Sequence, residues 1–188
     1  MRAVDRILRR WRIARAAPWV RPGDRLLDVG CYDRSLVDVV GDRIASAVGI
    51  DPVAEAGEAD GVRLVRGQFP DDLEATPGSF DCITALAVLE HVSAPDAFAA
   101  ACHRLLAPGG RVVLTVPHPA VDRLVDALIF LRLADGMDID EHHGFDVTQT
   151  GPIFEAAGFR TEAARAFQLG LNRLFVFKKP DEGNGSIP

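Results

Sequence analysis

The stretch Leu26-Leu27-Asp28-Val29-Gly30-Cys31-Tyr32-Asp33 (LLDVGCYD) ends a short apolar run on a carboxylate and a glycine, and Ser35–Val40 behind it is helical in pattern. A buried strand that breaks at a glycine and enters a helix opens a βαβ unit. Glycine lets the backbone bend sharply and approach a ligand closely. The next apolar run, ASAVGI (45–50), ends on a second carboxylate, Asp51, 21 residues beyond Gly30. A spacing of about 20 residues is that of an acid which holds ribose hydroxyls in nucleotide-binding sheets. A carboxylate accepts two hydrogen bonds at once, which suits a vicinal diol. Either acid alone is equally a turn residue, but strand, glycine turn, helix, strand and terminal acid in this order point to a nucleotide-type crevice.

Outward from this unit, strand-length apolar runs alternate with helical stretches. VRLV (62–65) and FDCIT (80–84) read as strands, residues 95–106 as a helix with Pro95 in its first turn, and APGGRVVLTV (107–116) as helix stop, turn and strand. This alternation predicts an α/β protein with a parallel sheet. Val121, Leu124, Val125, Leu128, Ile129 and Leu131 give a helix with a wide apolar face, and Thr148–Ala157 a shorter one with Gly158 as its cap. Phe159–Phe167 and Leu174–Phe177 close the fold, and PDEGNGSIP (180–188) reads as a disordered end. At the other end Val4, Ile7, Leu8, Trp11 and Ala14 recur at helical spacing, so residues 2–16 form an amphipathic helix ended by Pro18 and RPGD (21–24). The organisation expected is one domain over 1–179, with an N-terminal helical segment (1–20) and a lid-like insertion (120–145).

Composition agrees. The chain has 188 residues, 48% apolar and 26% charged, which suits one core and excludes an intrinsically disordered chain. No window has the roughly 18 uninterrupted apolar residues of a membrane span, and MRAVDRILRRWRIAR lacks the apolar stretch of a secretory signal. Cys31, Cys82 and Cys102 are scattered and form no CxxC. A soluble, cytoplasmic protein is expected. Charge is divided: residues 1–25 carry eight arginines against two acids, net +6, and the remainder nets −12. So acidic a body argues against nucleic acid as a partner. Two readings of the N-terminal arginines stand open, a solvated outer face and a peripheral contact with an anionic surface or substrate through 2–16.

LLDVGCYDRSL, VGIDP, FDCITALAVLEHV and RLLAPGGRVVLTVPHP come in the order and spacing of one known family. The chain resembles the class I S-adenosylmethionine-dependent methyltransferases over about residues 25–119, and EHHGFDVTQTGPIFEAAGF is similar to the segment before that family's last two strands. The LEHV and LLAPGG runs resemble its small-molecule branch, which includes quinone-biosynthesis methyltransferases. The resemblance implies a Rossmann-like, seven-stranded, mostly parallel sheet with helices on both faces and the last strand antiparallel. It implies S-adenosylmethionine as cofactor, with Asp28, Gly30, Cys31 and Tyr32 at its methionine end, Asp51 on the ribose, and Pro52 and Val53 beside adenine. Gln68 and Phe69 fall at the adenine amino group and ring, and Leu86 and Ala87 on the methionine side. The family's Gly-x-Gly-x-Gly motif is Gly30-Cys31-Tyr32-Asp33-Arg34 here. Arg34 is open to two readings, a partner for the cofactor's carboxylate or a solvated first-turn residue. This departure keeps a second reading open, a non-catalytic accessory or binding protein with a weakened cofactor site; a nicotinamide-dependent oxidoreductase is the third.

Methyl transfer from a sulfonium is largely a matter of aligning nucleophile, methyl and sulfur. A base is needed only where the acceptor loses a proton, and imidazole is suited to that. His91, His118 and His143 are the candidates, with His142 beside them, each equally readable as a hydrogen-bonded loop residue; His103 falls within a helix and reads as structural. DIDEHH (138–143) holds plausible metal ligands, but adjacent residues rarely converge on one ion, so no metal is expected. No Asn/Asp-Pro-Pro-Tyr run follows the fourth predicted strand, which favours a small-molecule acceptor over a nucleic-acid base. The apolar helix at 121–134 has three readings: a lid over an amphiphilic or lipid-linked acceptor, a homodimer contact, or core.

Overall fold

Leu26 and Leu27 are consecutive on one strand, so their side chains leave on opposite faces, and both are fully buried. A strand buried on both sides needs cover on both. The computed structural model describes residues 3–117 and 145–181 and shows that cover. The elements are α1 (Ala3–Ala16), β1 (Arg25–Val29), α2 (Ser35–Val40), β2 (Ser46–Asp51), β3 (Gly57–Ala59), β4 (Val62–Arg66), β5 (Phe80–Leu86), α3 (Pro95–Leu105), β6 (Leu106–Pro117), α4 (Thr150–Ala156), β7 (Arg160–Phe167) and β8 (Asn172–Lys178). On one face Leu27, Ile83 and Val112 pack with Phe98 and Leu105 of α3 and Phe154 of α4. On the other, Leu26, Cys82 and Val113 pack with Ile13 and Ala16 of α1 and Val37 and Val40 of α2. The layered α/β architecture is the one the alternating runs predict.

The sheet runs β3-β4-β2-β1-β5-β6-β8-β7. β4, β2, β1, β5 and β6 are parallel neighbours, and β8 lies antiparallel between β6 and β7. The strand count corrects the expectation of seven: β3 is an additional short antiparallel partner of β4. All three of its residues, Gly57, Glu58 and Ala59, are exposed, so it carries no apolar signal. β6 also starts at Leu106, earlier than the turn expected at APGG; that segment stays in the sheet because Gly109 adopts φ +74° and donates its N–H to the Lys179 carbonyl at 3.2 Å. Gly158, at φ +97°, ends α4 as expected, with its N–H on the Glu155 carbonyl at 3.0 Å. The 121–134 helix and the lid-like insertion, apart from Phe145, lie outside the described residues. Among the described residues no helix is long and apolar enough to cross a membrane.

A buried ion pair ties the N-terminal segment to the sheet. Arg111 of β6 donates to the Asp24 carboxylate and, through Nε, to the Trp19 carbonyl at 2.5 Å, and both side chains are at least nine-tenths buried. Burial pushes the Asp24 carboxyl up, against the Arg21 backbone N–H and the Arg111 charge, which hold it down. Arg111→Met should therefore cost about 3–5 kcal/mol in urea unfolding, because it leaves one charge buried and alone. The double change with Asp24→Asn should cost clearly less than the single one.

Candidate functional site

The chain runs outward from β1 through β2 to β4 and then returns to β5 on the other side of β1. Strand order reverses there, so the loops leaving the carboxyl ends of β1, β2 and β5 meet at one crevice. Gly30 sits in the middle. Its φ is +70°, its N–H donates to the Ile50 carbonyl at 2.8 Å, and a Cβ placed on it would lie 2.3 Å from Cγ2 of Val88. Conformation and the closeness of the β5 loop both demand glycine at this position.

Two hollows meet at Gly30. One, of about 390 Å³, is bordered by Asp51, Pro52, Gln68, Phe69, Ala87 and His91, with Phe98 beneath. The other, of about 270 Å³, is bordered by Asp28, Cys31, Tyr32 and Leu86, with Arg9, Arg12 and Ile13 of α1 over it. An elongated ligand lying across Gly30 would thus meet Asp51 on one side and Asp28 on the other.

Asp51 closes β2 and is fixed at both oxygens. Oδ1 accepts the Val53 N–H at 2.9 Å and Oδ2 the Tyr32 N–H at 3.0 Å. Each oxygen has a second lone pair, so two hydroxyls can still be received. Asp28 is 4% exposed, and its Oδ1 accepts the Thr84 hydroxyl at 2.6 Å. Burial raises its carboxyl to about 7, outweighing the Thr84 hydrogen bond and the Arg9 charge, while Asp33 and Asp51 push the same way as burial. A carboxyl poised this way gains most from a cation brought against it. With Arg12 on its border and Arg9 turned to Asp33 and the Cys31 carbonyl, this hollow offers a carboxylate for an ammonium and the Arg12 guanidinium for an anion. The zwitterionic end of an amino acid fits it.

A family described as a methyltransferase domain matches residues 2–164. The chain belongs to that family. The domain is 38% identical over 104 residues to the ubiquinone biosynthesis O-methyltransferase of Pseudomonas aeruginosa, covering 50% of this chain and 44% of that one. It thus spans under half the length of that relative. Its fold is also that of an S-adenosylmethionine-dependent methyltransferase from Mesorhizobium loti (TM-score 0.63, 18% identity, 84% of this chain and 91% of that one). A [4+2]-cyclase, SpnF, shares it as well (TM-score 0.68, 18% identity, 92% and 80%). S-adenosylmethionine is the cofactor this family implies, and the residues present fit it: a two-oxygen acceptor at Asp51, an approach over Gly30 that a Cβ would close, and opposite charges around the far hollow.

The crevice of this methyltransferase domain gathers most of the residues expected there, but Ala87 borders the Asp51 hollow and not the methionine side with Leu86, and Val53 lies outside both hollows. Val53 is 61% exposed and faces a neighbouring hollow with Tyr32 and Leu64, contributing its backbone N–H to Asp51. Arg34 turns outward to Asp38 and Asp60, each at 3.6 Å, which realises the solvated first-turn reading. The Cys31 thiol is buried and pushed up to about 12 by that burial, which keeps it neutral and unreactive. His91 is half exposed at the mouth of the Asp51 hollow, with Nε2 4.0 Å from Glu90 Oε1. His103 and Phe159 pack edge to face with ring centres 5.1 Å apart, a structural place. His118, His142, His143 and the DIDEHH cluster lie outside the described residues. Arg9 and Arg12 border the Asp28 hollow, a placement that the sequence reading, open between a solvated face and an anionic contact for the N-terminal arginines, did not single out. The available signal was their i, i+3 spacing on the side of α1 that carries Ile13 and Ala16.

Proposed function

We propose that this chain transfers a methyl group from S-adenosylmethionine to a small, amphiphilic or lipid-linked acceptor. The arrangement of two acids on opposite sides of Gly30 carries the cofactor half of this reading. Asp51 receives the ribose hydroxyls, with Pro52, Gln68 and Phe69 around the adenine. Asp28 takes the ammonium of the methionine end and Arg12 its carboxylate, beside Leu86. The bound sulfonium supplies an already activated methyl and leaves as a neutral thioether, so the protein's main task is alignment. Where the acceptor is a hydroxyl, His91 at the mouth of the crevice is the described imidazole placed to take its proton. Tyr32 does not close the site: its N–H supports Asp51, and its ring lies at the rim, 52% exposed. That placement favours a working cofactor site over an accessory role, and the family weighs against a nicotinamide cofactor.

The outer side of α1 supports the acceptor half. Ile7 and Trp11 are 54% and 53% exposed, and with Ala14 they form a stripe opposite the buried Ile13 and Ala16. Exposed Arg6, Arg10 and Arg15 flank this stripe. Basic residues around an exposed tryptophan on a helix lying flat are suited to an anionic lipid surface, and the −12 of the rest of the chain would point the body away from it. The other face of the same helix borders the cofactor hollow, so a docked α1 would bring the crevice to a lipid-borne acceptor. The relative from Pseudomonas aeruginosa is named for ubiquinone biosynthesis, which agrees with a lipid-tailed ring as acceptor. The homodimer reading of 121–134 lies outside the described residues.

Incubation with methyl-tritiated S-adenosylmethionine and a bacterial lipid extract tests this directly. The label should enter the organic phase, and Ile7→Ser with Trp11→Ser should lower that transfer several-fold while S-adenosylhomocysteine binding is unchanged. Label appearing only in water-soluble product, or transfer indifferent to the double change, would contradict the acceptor class.

A further inference from the structure

Where the family has its second glycine, this chain has Tyr32, and Tyr32 keeps the left-handed backbone that glycine would supply, at φ +55°. That conformation is costly for a bulky L-residue and persists only when its surroundings hold it. The Asp33 N–H bonds the Cys31 carbonyl at 2.5 Å, which closes a three-residue turn with Tyr32 at its apex. One side chain from outside the loop spans both ends of this turn. Arg9 of α1 donates from Nη1 to Asp33 Oδ2 at 2.9 Å, from Nη2 to Asp33 Oδ1 at 2.5 Å, and from Nη2 again to the Cys31 carbonyl at 2.9 Å. Its guanidinium carbon also lies 5.4 Å from the centre of the Tyr32 ring. Asp33 Oδ1 accepts the Ser35 N–H at 2.8 Å, so the same carboxylate fixes the start of α2. Burial raises the Asp33 carboxyl, but the Ser35 hydrogen bonds and the Arg9 guanidinium outweigh it and hold it below the usual range, so it stays charged.

We infer that Arg9 and Asp33 form a positioning pair that replaces the missing glycine: they clamp Tyr32 in the left-handed turn and so keep its N–H on the Asp51 carboxylate. The inference rests on the proposed cofactor reading of Asp51, and concerns how that carboxylate is set. The clamp works through the loop. Without it Tyr32 relaxes toward an ordinary backbone conformation, its N–H leaves Asp51 Oδ2, and the acid loses the orientation that receives the ribose. A glycine at 32 needs no clamp, because it adopts positive φ without steric cost.

The test is a mutant cycle read by calorimetric titration with S-adenosylhomocysteine on the full chain. Arg9→Ala should weaken binding about 10-fold or more while Tyr32 is present, and by less than about 2-fold in a Tyr32→Gly background. If Arg9 held the ligand itself, the loss would be equal in both backgrounds, and that result overturns the proposal, as does Arg9→Ala binding at the wild-type affinity. Should Arg9→Ala fail to fold, Asp33→Asn with and without Tyr32→Gly gives the same cycle from the other partner, with the same expected and contrary outcomes. Absence of binding by the wild-type chain would instead refute the cofactor reading beneath it.

Discussion

Asp51→Ala should weaken S-adenosylhomocysteine binding about 100-fold or more, because it removes both oxygens that would receive the ribose hydroxyls; each hydrogen bond to a charged acceptor contributes roughly 1.5–3 kcal/mol. The carboxylate also joins two loops, through the Tyr32 N–H at 3.0 Å and the Val53 N–H at 2.9 Å. Removing it therefore frees two backbone donors at the crevice as well. Asp51→Asn should do nearly as badly, since whichever way the amide points, one of those N–H groups meets an NH2. Titration calorimetry decides it, and binding within about 3-fold of wild type would remove Asp51 from the site.

Asp28→Asn has the second large effect, and its sign differs between binding and stability. In the folded protein without ligand, burial raises Asp28 to about 7 from an ordinary 3.8. Between those values the native state holds a proton that the unfolded chain has lost, so the group's contribution to stability falls as pH rises through this window. Above pH 7 the full penalty of a buried charge is present. Asparagine removes it, and the variant should be more stable than wild type by roughly 1–3 kcal/mol at pH 8, with the difference vanishing below about pH 4. Binding moves the other way. The ligand's ammonium needs the charged carboxylate, so wild-type affinity should fall as pH drops below about 7, approaching 10-fold per pH unit. The variant should bind about 30-fold more weakly at pH 8 and lose that pH dependence. Chemical unfolding and titration across pH 5–8.5 check both halves. A variant that loses stability at pH 8, or that keeps the wild-type pH profile of binding, would show that Asp28 is not the ammonium's partner. Arg9, Asp33 and Asp51 are the other charges acting on this carboxyl.

The sheet was legible because its central strands announce themselves. RLLDV and FDCIT carry apolar side chains on both faces, and a strand that can be buried on both sides belongs inside a layered α/β fold. β3 was silent because a three-residue exposed hairpin strand buries nothing. Asp28, Gly30 and Asp51 were readable from order and spacing, since chain topology brings strand ends together whatever the side chains do in detail. The orientation of α1 was not. Eight arginines among 25 residues left a solvated face and an anionic contact both open, and the packing of Ile13 and Ala16 against the sheet shows that Arg9 and Arg12 border the crevice. Tyr32 was conspicuous in the sequence as a departure from a glycine pattern, but its compensation lies 23 residues away in Arg9. A single guanidinium reaching across to a turn leaves no local signature, so the consequence of that substitution became visible only in three dimensions.

One structure tests the central claim most directly: crystals of the chain grown with S-adenosylhomocysteine. The predicted result is one ligand extended over Gly30, with both ribose hydroxyls on the Asp51 carboxylate and the amino group within hydrogen-bond reach of Asp28. A crevice without ligand at saturating concentration, or a ligand whose ribose and amino group both lie away from these two carboxylates, would contradict it.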